Sequence, residues 1–316
     1  MRIVIGGASG MIGSALTRRL HERGDEVVHL VRRPVGSAAE ISWDPAAGKL
    51  DAAQLSGAHA VVNLSGATLS RLPWTRRHKD AIVLSRLTAT RTIVTALREL
   101  AAAGETPALL SGSAVGAYGS QPGARLDETA PRGSGFLADV VAAWEAEARH
   151  APDGVRVVLL RTGLVLGHGG AGAVLSRITR LGAAGPIGGG RQYWPWVSLD
   201  DQVGGILHAL DHDLEGPVNL VGPEAATAGA VMRAIARAAH RPYLLPLPTF
   251  AVSFVLGEGG RELLLSDQQV VPARLTDLGY DFAHAHIDDA ADALFARPRA
   301  GAPTLDDQIN GTGSPR

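Results

Sequence analysis

Short apolar runs recur along the first part of the chain, separated by longer stretches with apolar residues at helical spacing. Arg2 to Ile5, Val27 to Val31, Glu40 to Trp43, Ala60 to Asn63, Ala108 to Leu110, Val155 to Leu160 and Val218 to Val221 read as strands. The first is a continuous apolar run, the mark of a parallel strand covered on both faces. Met11 to Arg23, Trp74 to Leu100 and Gly135 to Glu145 read as helices, the last with a stripe of Phe136, Val140, Val141 and Trp144. Alternation of strand and helix predicts an α/β fold, a Rossmann-like doubly wound parallel sheet. Beyond residue 165 the pattern changes. Helices are expected at Ala173 to Leu181, Ala228 to Ala239, Phe250 to Leu265 and Ile287 to Phe295, with an extended, proline-marked connection from Pro242 to Pro248. Residues 1–165 are therefore the expected dinucleotide domain, with 195–225 returning to it. Residues 166–296 form a smaller, mostly helical cap region with a small C-terminal domain from about 245. The stretch 297–316, rich in Pro, Gly and polar residues, is expected to be a disordered tail.

The junction of first strand and first helix is Gly6-Gly7-Ala8-Ser9-Gly10-Met11-Ile12-Gly13. Glycines at 7, 10 and 13 in that context predict a dinucleotide site. Gly7 turns the chain off the strand, Gly10 lets backbone approach a pyrophosphate, and Gly13 lets helix lie close on sheet. The N–H groups of the helix's first turn face the phosphates, so Gly7, Ser9, Gly10, Met11, Ile12 and Gly13 are candidate cofactor residues. At the end of the second strand, where NAD-binding proteins place an acid for the ribose hydroxyls, stand Val31, Arg32 and Arg33. A carboxylate would repel a 2′-phosphate and a guanidinium binds it, so the expected cofactor is NADP(H), held by Arg32 and Arg33.

Composition narrows the partners. The formal charge of −1 over 316 residues gives no basic field for nucleic acid or for a membrane surface. Absence of cysteine excludes disulfides, thiolate metal sites and a cysteine nucleophile. His284 and His286, two apart, lack the further partners a metal needs and read as solvated, so no metal is expected. Met1 and Arg2 run straight into the first strand, and Leu244 to Leu256 is interrupted by Pro246 and Pro248. A soluble, cytoplasmic protein is the expectation.

Four further segments are distinctive: Asn63-Leu64-Ser65-Gly66, Ser111 through Gly119, Arg161 through Gly167, and Gln192 through Trp196. With the glycine motif they make the chain resemble the atypical branch of the extended short-chain dehydrogenase/reductases. That branch is filed as the epimerase family, or nucleoside-diphosphate-sugar epimerase-like proteins, with a small uncharacterised C-terminal domain. The resemblance covers nearly the whole chain to about residue 296. It implies that Leu64, Ser65 and Gly66 pass the cofactor's ribose, and that Ser111, Arg161 and Thr162 lie near the nicotinamide. It implies Ser113 and Tyr118 as catalytic residues, and Gln192, Trp194 and Trp196 as part of a substrate wall.

One departure stands out. Relatives that reduce or epimerise carry Tyr-x-x-x-Lys on the helix after the serine, where lysine lowers the phenol's pKa for proton exchange. This chain has two lysines, Lys49 and Lys79, preceded at four residues by Pro45 and Thr75. The equivalent helix offers either Phe136/Val140 or Leu137/Val141. Arg86 stands where many relatives carry an asparagine that supports the site. Two functions survive. One is an NADP(H)-dependent oxidoreductase or sugar-nucleotide-epimerase-like enzyme acting on a small or nucleotide-linked molecule. The other is a non-catalytic sensor of NADP(H).

Overall fold

A computed structural model describes residues 1–296, and the expected tail at 297–316 lies outside the described residues. Seven strands form one parallel sheet: β1 (Arg2–Gly6), β2 (Glu26–Val31), β3 (Glu40–Ser42), β4 (Ala60–Asn63), β5 (Ala108–Ala114), β6 (Val157–Thr162) and β7 (Gly216–Leu220). Their order across the sheet is β7-β6-β5-β4-β1-β2-β3, reversing direction between β1 and β4. Such a reversal opens a crevice at the carboxyl edge, where ligands of doubly wound sheets bind. The strands read as unbroken apolar runs because both faces are covered. Helices α1 (Met11–Glu22) and α5 (Leu199–Asp211) bury Leu16, Leu20, Val203, Ile206 and Leu210 on one face. Helices α2 (Arg76–Ala102) and α3 (Phe136–Arg149) cover the other with Ile93, Val94, Leu97 and Ala148.

β5 runs four residues further than the apolar run ending at Leu110. Ser111, Gly112 and Ser113 stay in the ladder by pairing with Leu159, Leu160 and Arg161, so neighbouring strands override their low strand propensity. The cap region contains α4 (Gly170–Arg180), α6 (Ala228–Ala238), α7 (Thr249–Gly260) and α8 (Ile287–Phe295). The stretch expected as one helix from Phe250 to Leu265 kinks at Gly257, which has φ +61°, and finishes as a wide turn from Arg261 to Leu265. His284 is not solvated: its Nδ1 lies 3.1 Å from Ser198 Oγ and its backbone N–H donates to Asp201. Among the described residues no helix is long and apolar enough to cross a membrane.

Candidate functional site

The glycine turn has the shape a pyrophosphate needs. Gly7 sits at φ +81°, and a Cβ there would lie 2.8 Å from the carbonyl of Leu64. A Cβ on Gly13 would fall 2.4 Å from Gly7 O, so only glycine lets α1 start this close to β1. Beside Gly10 the nearest atom to such a Cβ is Gly7 O at 3.3 Å, with no other within 4 Å; Ser9 and Gly10 are exposed. Helix α1 has no side-chain cap and no acid in its first turn. Its first N–H groups therefore lack intrahelical partners and point at an open mouth. Met11 also receives the Gly169 N–H on its sulfur at 3.0 Å, which docks the glycine loop before α4 onto the same turn. Across the crevice, Leu64 N donates to Gly6 O and Ser65 N to Asn63 Oδ1, which brings the loop leaving β4 beside the glycines.

The two arginines after β2 have different surroundings. Arg33 forms a forked pair with Glu40, with Nη1 2.9 Å from Oε2. Arg32 is exposed, has no ion-pair partner among the described residues, and lines a cleft of about 640 Å³ with Trp43, Asp44, Lys49 and Leu50. Lys49 reaches this cleft because a tight turn pairs its backbone with Asp44. Arg33, expected as a second phosphate ligand, is paired with Glu40 in this structure, which leaves Arg32 the less engaged of the two. The sequence signal for Glu40 was only that an acid begins the next strand.

On the α2/α3 side, the expected catalytic pair lies in a buried polar chain. Ser113 Oγ donates to Glu145 Oε1 at 2.7 Å, and Arg161 donates to both oxygens of Glu145 at 2.8 and 3.0 Å. Arg161 Nη1 also donates to Tyr118 OH at 3.0 Å, and that hydroxyl donates to Asn219 Oδ1 at 2.7 Å. Glu128 closes the chain by accepting the N–H of Asn219 at 3.0 Å. Burial pushes the Glu145 carboxyl up, but bonds from Arg161 and Ser113 and the nearby arginine charges outweigh it and hold it below its ordinary value. Burial dominates at Tyr118 and raises its pKa despite Arg161.

Several expectations change with this geometry. Tyr118 is 0% exposed and both faces of its hydroxyl are engaged, so it is an internal strut with no atom free to touch a substrate. Arg161 bonds Glu145 and Tyr118, and Thr162 Oγ1 bonds Leu160 O and receives Gln202 Nε2. Ser111 is 0% exposed and its hydroxyl bonds Gly112 O, so its side chain does not reach the crevice. Glu145, the centre of the network, was missed by sequence reasoning. Its one signal was a buried-side position next to Trp144 on α3.

Gln192, Trp194 and Trp196 do not form an open wall. Gln192 Nε2 donates to Ile187 O and Leu264 O, Trp194 Nε1 to Leu264 O and Trp196 Nε1 to Glu224 O. Trp194 and Trp196 belong to the apolar core that α4, α6 and α8 share. Aromatics with one polar edge bury well when a carbonyl meets that edge. Trp194→Phe and Trp196→Phe should each lower stability by about 1–2 kcal/mol through the lost bond and leave NADPH affinity unchanged. Denaturant unfolding together with a cofactor titration checks this, and a selective loss of cofactor binding would count against the placement.

Comparison with known proteins agrees with this architecture. Residues 3–242 match the NAD dependent epimerase/dehydratase family, and residues 247–294 match a domain of unknown function, DUF1731. An epimerase family protein of Mycobacterium leprae is 38% identical over 301 residues, covering 94% of this chain and 96% of that protein. Human epimerase family protein SDR39U1 is 34% identical over 302 residues, covering 94% and 100%. The crystal structure of that human protein with NADPH superposes with a TM-score of 0.84 at 32% identity, covering 93% of this chain and 99% of the other.

Proposed function

The chain belongs to the NAD dependent epimerase/dehydratase family, and on that premise we propose that it binds NADP(H) and acts as an oxidoreductase or epimerase-like enzyme on a small molecule. The observation that carries the cofactor is Arg32. It is a cation without an ion-pair partner among the described residues, in the cleft beyond β2, while the uncapped start of α1 opens on the same edge. The crystallised NADPH complex of human SDR39U1 supports the same reading. NADP(H), when bound, supplies or accepts the hydride. The first turn of α1 would take the pyrophosphate, Leu64 to Gly66 would flank a ribose, and Arg32 with Lys49 would hold the 2′-phosphate.

Of the two candidate catalytic residues, Ser113 is the one this reading keeps. Its hydrogen points to Glu145, so its lone pairs are left to accept a hydrogen bond from a substrate hydroxyl. Glu145, kept ionised by Arg161, is a weak base, which makes the site a slow proton acceptor and not a strong acid. Ser113→Ala should lower kcat by about tenfold or more on whatever alcohol or carbonyl pair is turned over, the usual scale for a proton-handling group. A screen of carbonyl and sugar-nucleotide compounds by NADPH absorbance, repeated on the variant, tests this. Brisk turnover unaffected by Ser113→Ala would move the active site elsewhere. A second reading, a sensor of NADP(H), is favoured by one observation: the hydroxyls of Ser113 and Tyr118 already have protein partners. Tight NADPH binding without turnover across the panel would select it.

A further inference from the structure

Helix α3 carries only apolar side chains at the two places where a tyrosine and a lysine would stand. The facing stripe of α2 carries two cations. Lys79 Nζ lies 4.2 Å from the centre of the Phe136 ring, and the Arg86 guanidinium lies 5.1 Å from that of Trp144. Lys79 is neutralised by Glu258 at 2.8 Å. Arg86 has no carboxylate partner among the described residues. Its Nη1 donates to Ala67 O at 3.2 Å and Ile82 O at 3.0 Å, which ties the loop leaving β4 to α2. Its Nε and Nη2 have no hydrogen-bond partner among the described residues. These two donors form one complete edge of the guanidinium, the edge that matches a carboxylate or phosphate.

The position of Arg86 is fixed from both sides. A Cβ on Gly66 would lie 3.4 Å from Arg86 Cζ, in van der Waals contact, so the guanidinium lies against the backbone of this loop. Trp144, under Arg86, donates to Thr90 at 2.9 Å and fills the space a Cβ on Gly112 would need, at 2.8 Å. Gly112 precedes Ser113 in β5 and Ala67 follows β4, so Arg86 stands at the same end of the sheet as the candidate serine.

We infer that Arg86 binds an oxyanion of the substrate, a carboxylate or a phosphate, and that the substrate is therefore an anion. This rests on the cofactor reading, which assigns the neighbouring cleft to NADP(H). Arg86 is half-buried, and a cation in such a place with one donor edge unpaired gains more from an arriving anion than a fully solvated one does. Burial lowers the Arg86 pKa to about 10, which still leaves it charged at neutral pH. Charge is thus supplied from α2 at a site whose family relatives supply it from α3.

The test is a calorimetric titration of NADPH-saturated protein with malonate, with inorganic phosphate and with neutral malonamide. Saturation with NADPH occupies Arg32 and the glycine turn, leaving Arg86 as the anion site. Malonate or phosphate should bind and malonamide should not; the better anion identifies a carboxylic or a phosphorylated substrate. Arg86→Met should weaken that anion by about tenfold or more, and by more than it weakens NADPH, whose ribose loop Arg86 also tethers through Ala67. Arg86→Lys, which keeps the charge and loses the fork, should weaken it less, and serves alone if the methionine variant does not fold. Absence of anion binding by the wild-type protein, or equal binding by both variants, would overturn the inference. Failure of the wild-type protein to take up NADPH would instead sink the cofactor reading, and the anion titration would then be compared between wild type and Arg86 variants without cofactor.

Discussion

Glu145→Gln should lower the stability of the protein by about 3–5 kcal/mol, the usual effect of removing one partner of a buried ion pair. Glu145 is 4% exposed, and three groups depend on its charge: Ser113, Arg161 and Arg149. Glutamine can still accept from Ser113, but it leaves the Arg161 guanidinium, whose side chain is 11% exposed, without a counter-charge. Urea unfolding should show a lower midpoint with an unchanged slope. The double variant Glu145→Leu with Arg161→Met should recover much of the loss, because neither charge is then buried alone. The effect also has a pH signature. The folded-state pKa of Glu145 lies below the ordinary 4.5, so its stabilisation is complete above that value and is lost as pH falls through the folded-state pKa. The gap between wild type and Glu145→Gln should therefore close in acid. Equal stability at neutral pH would mean that the network does not hold the β5–β6 end of the sheet.

The fold was legible where its causes are local. β1, the glycine turn and α1 follow within 22 residues, and each glycine answers to a contact with Gly7, Ala8 or Leu64. Strand runs were legible because burial on both faces leaves no polar interruption. Partnerships across long separations were not. Tyr118 meets Asn219 across 101 residues and Trp194 meets Leu264 across 70, and no local pattern announces such pairs. Burial changes the roles that the motif residues suggest. Tyr118 and Trp196 look like site residues in one dimension and are internal in three. Arg86 shows the converse, a departure from the family pattern whose meaning came only with the ring of Trp144 beneath it.

Arg32→Ala should remove the protein's preference for NADPH over NADH. Arg32 is an exposed cation in the cleft beyond β2, no acid ends that strand, and Arg33 is held by Glu40. A charge-assisted bond to the 2′-phosphate contributes about 1.5–3 kcal/mol, which is roughly tenfold or more in affinity. Lys49, which lines the same cleft, should retain a smaller part of the preference as a point charge. NADH lacks the phosphate, so its binding should not change. The phosphate contact is also electrostatic and partly exposed, so the preference should shrink as salt is raised. The most direct measurement is a calorimetric titration of wild type and Arg32→Ala with both cofactors in one buffer. The expected result is NADPH bound about tenfold or more tighter than NADH by wild type, and near-equal binding of the two by the variant; equal affinities in the wild-type protein, or an unchanged preference in Arg32→Ala, would contradict it.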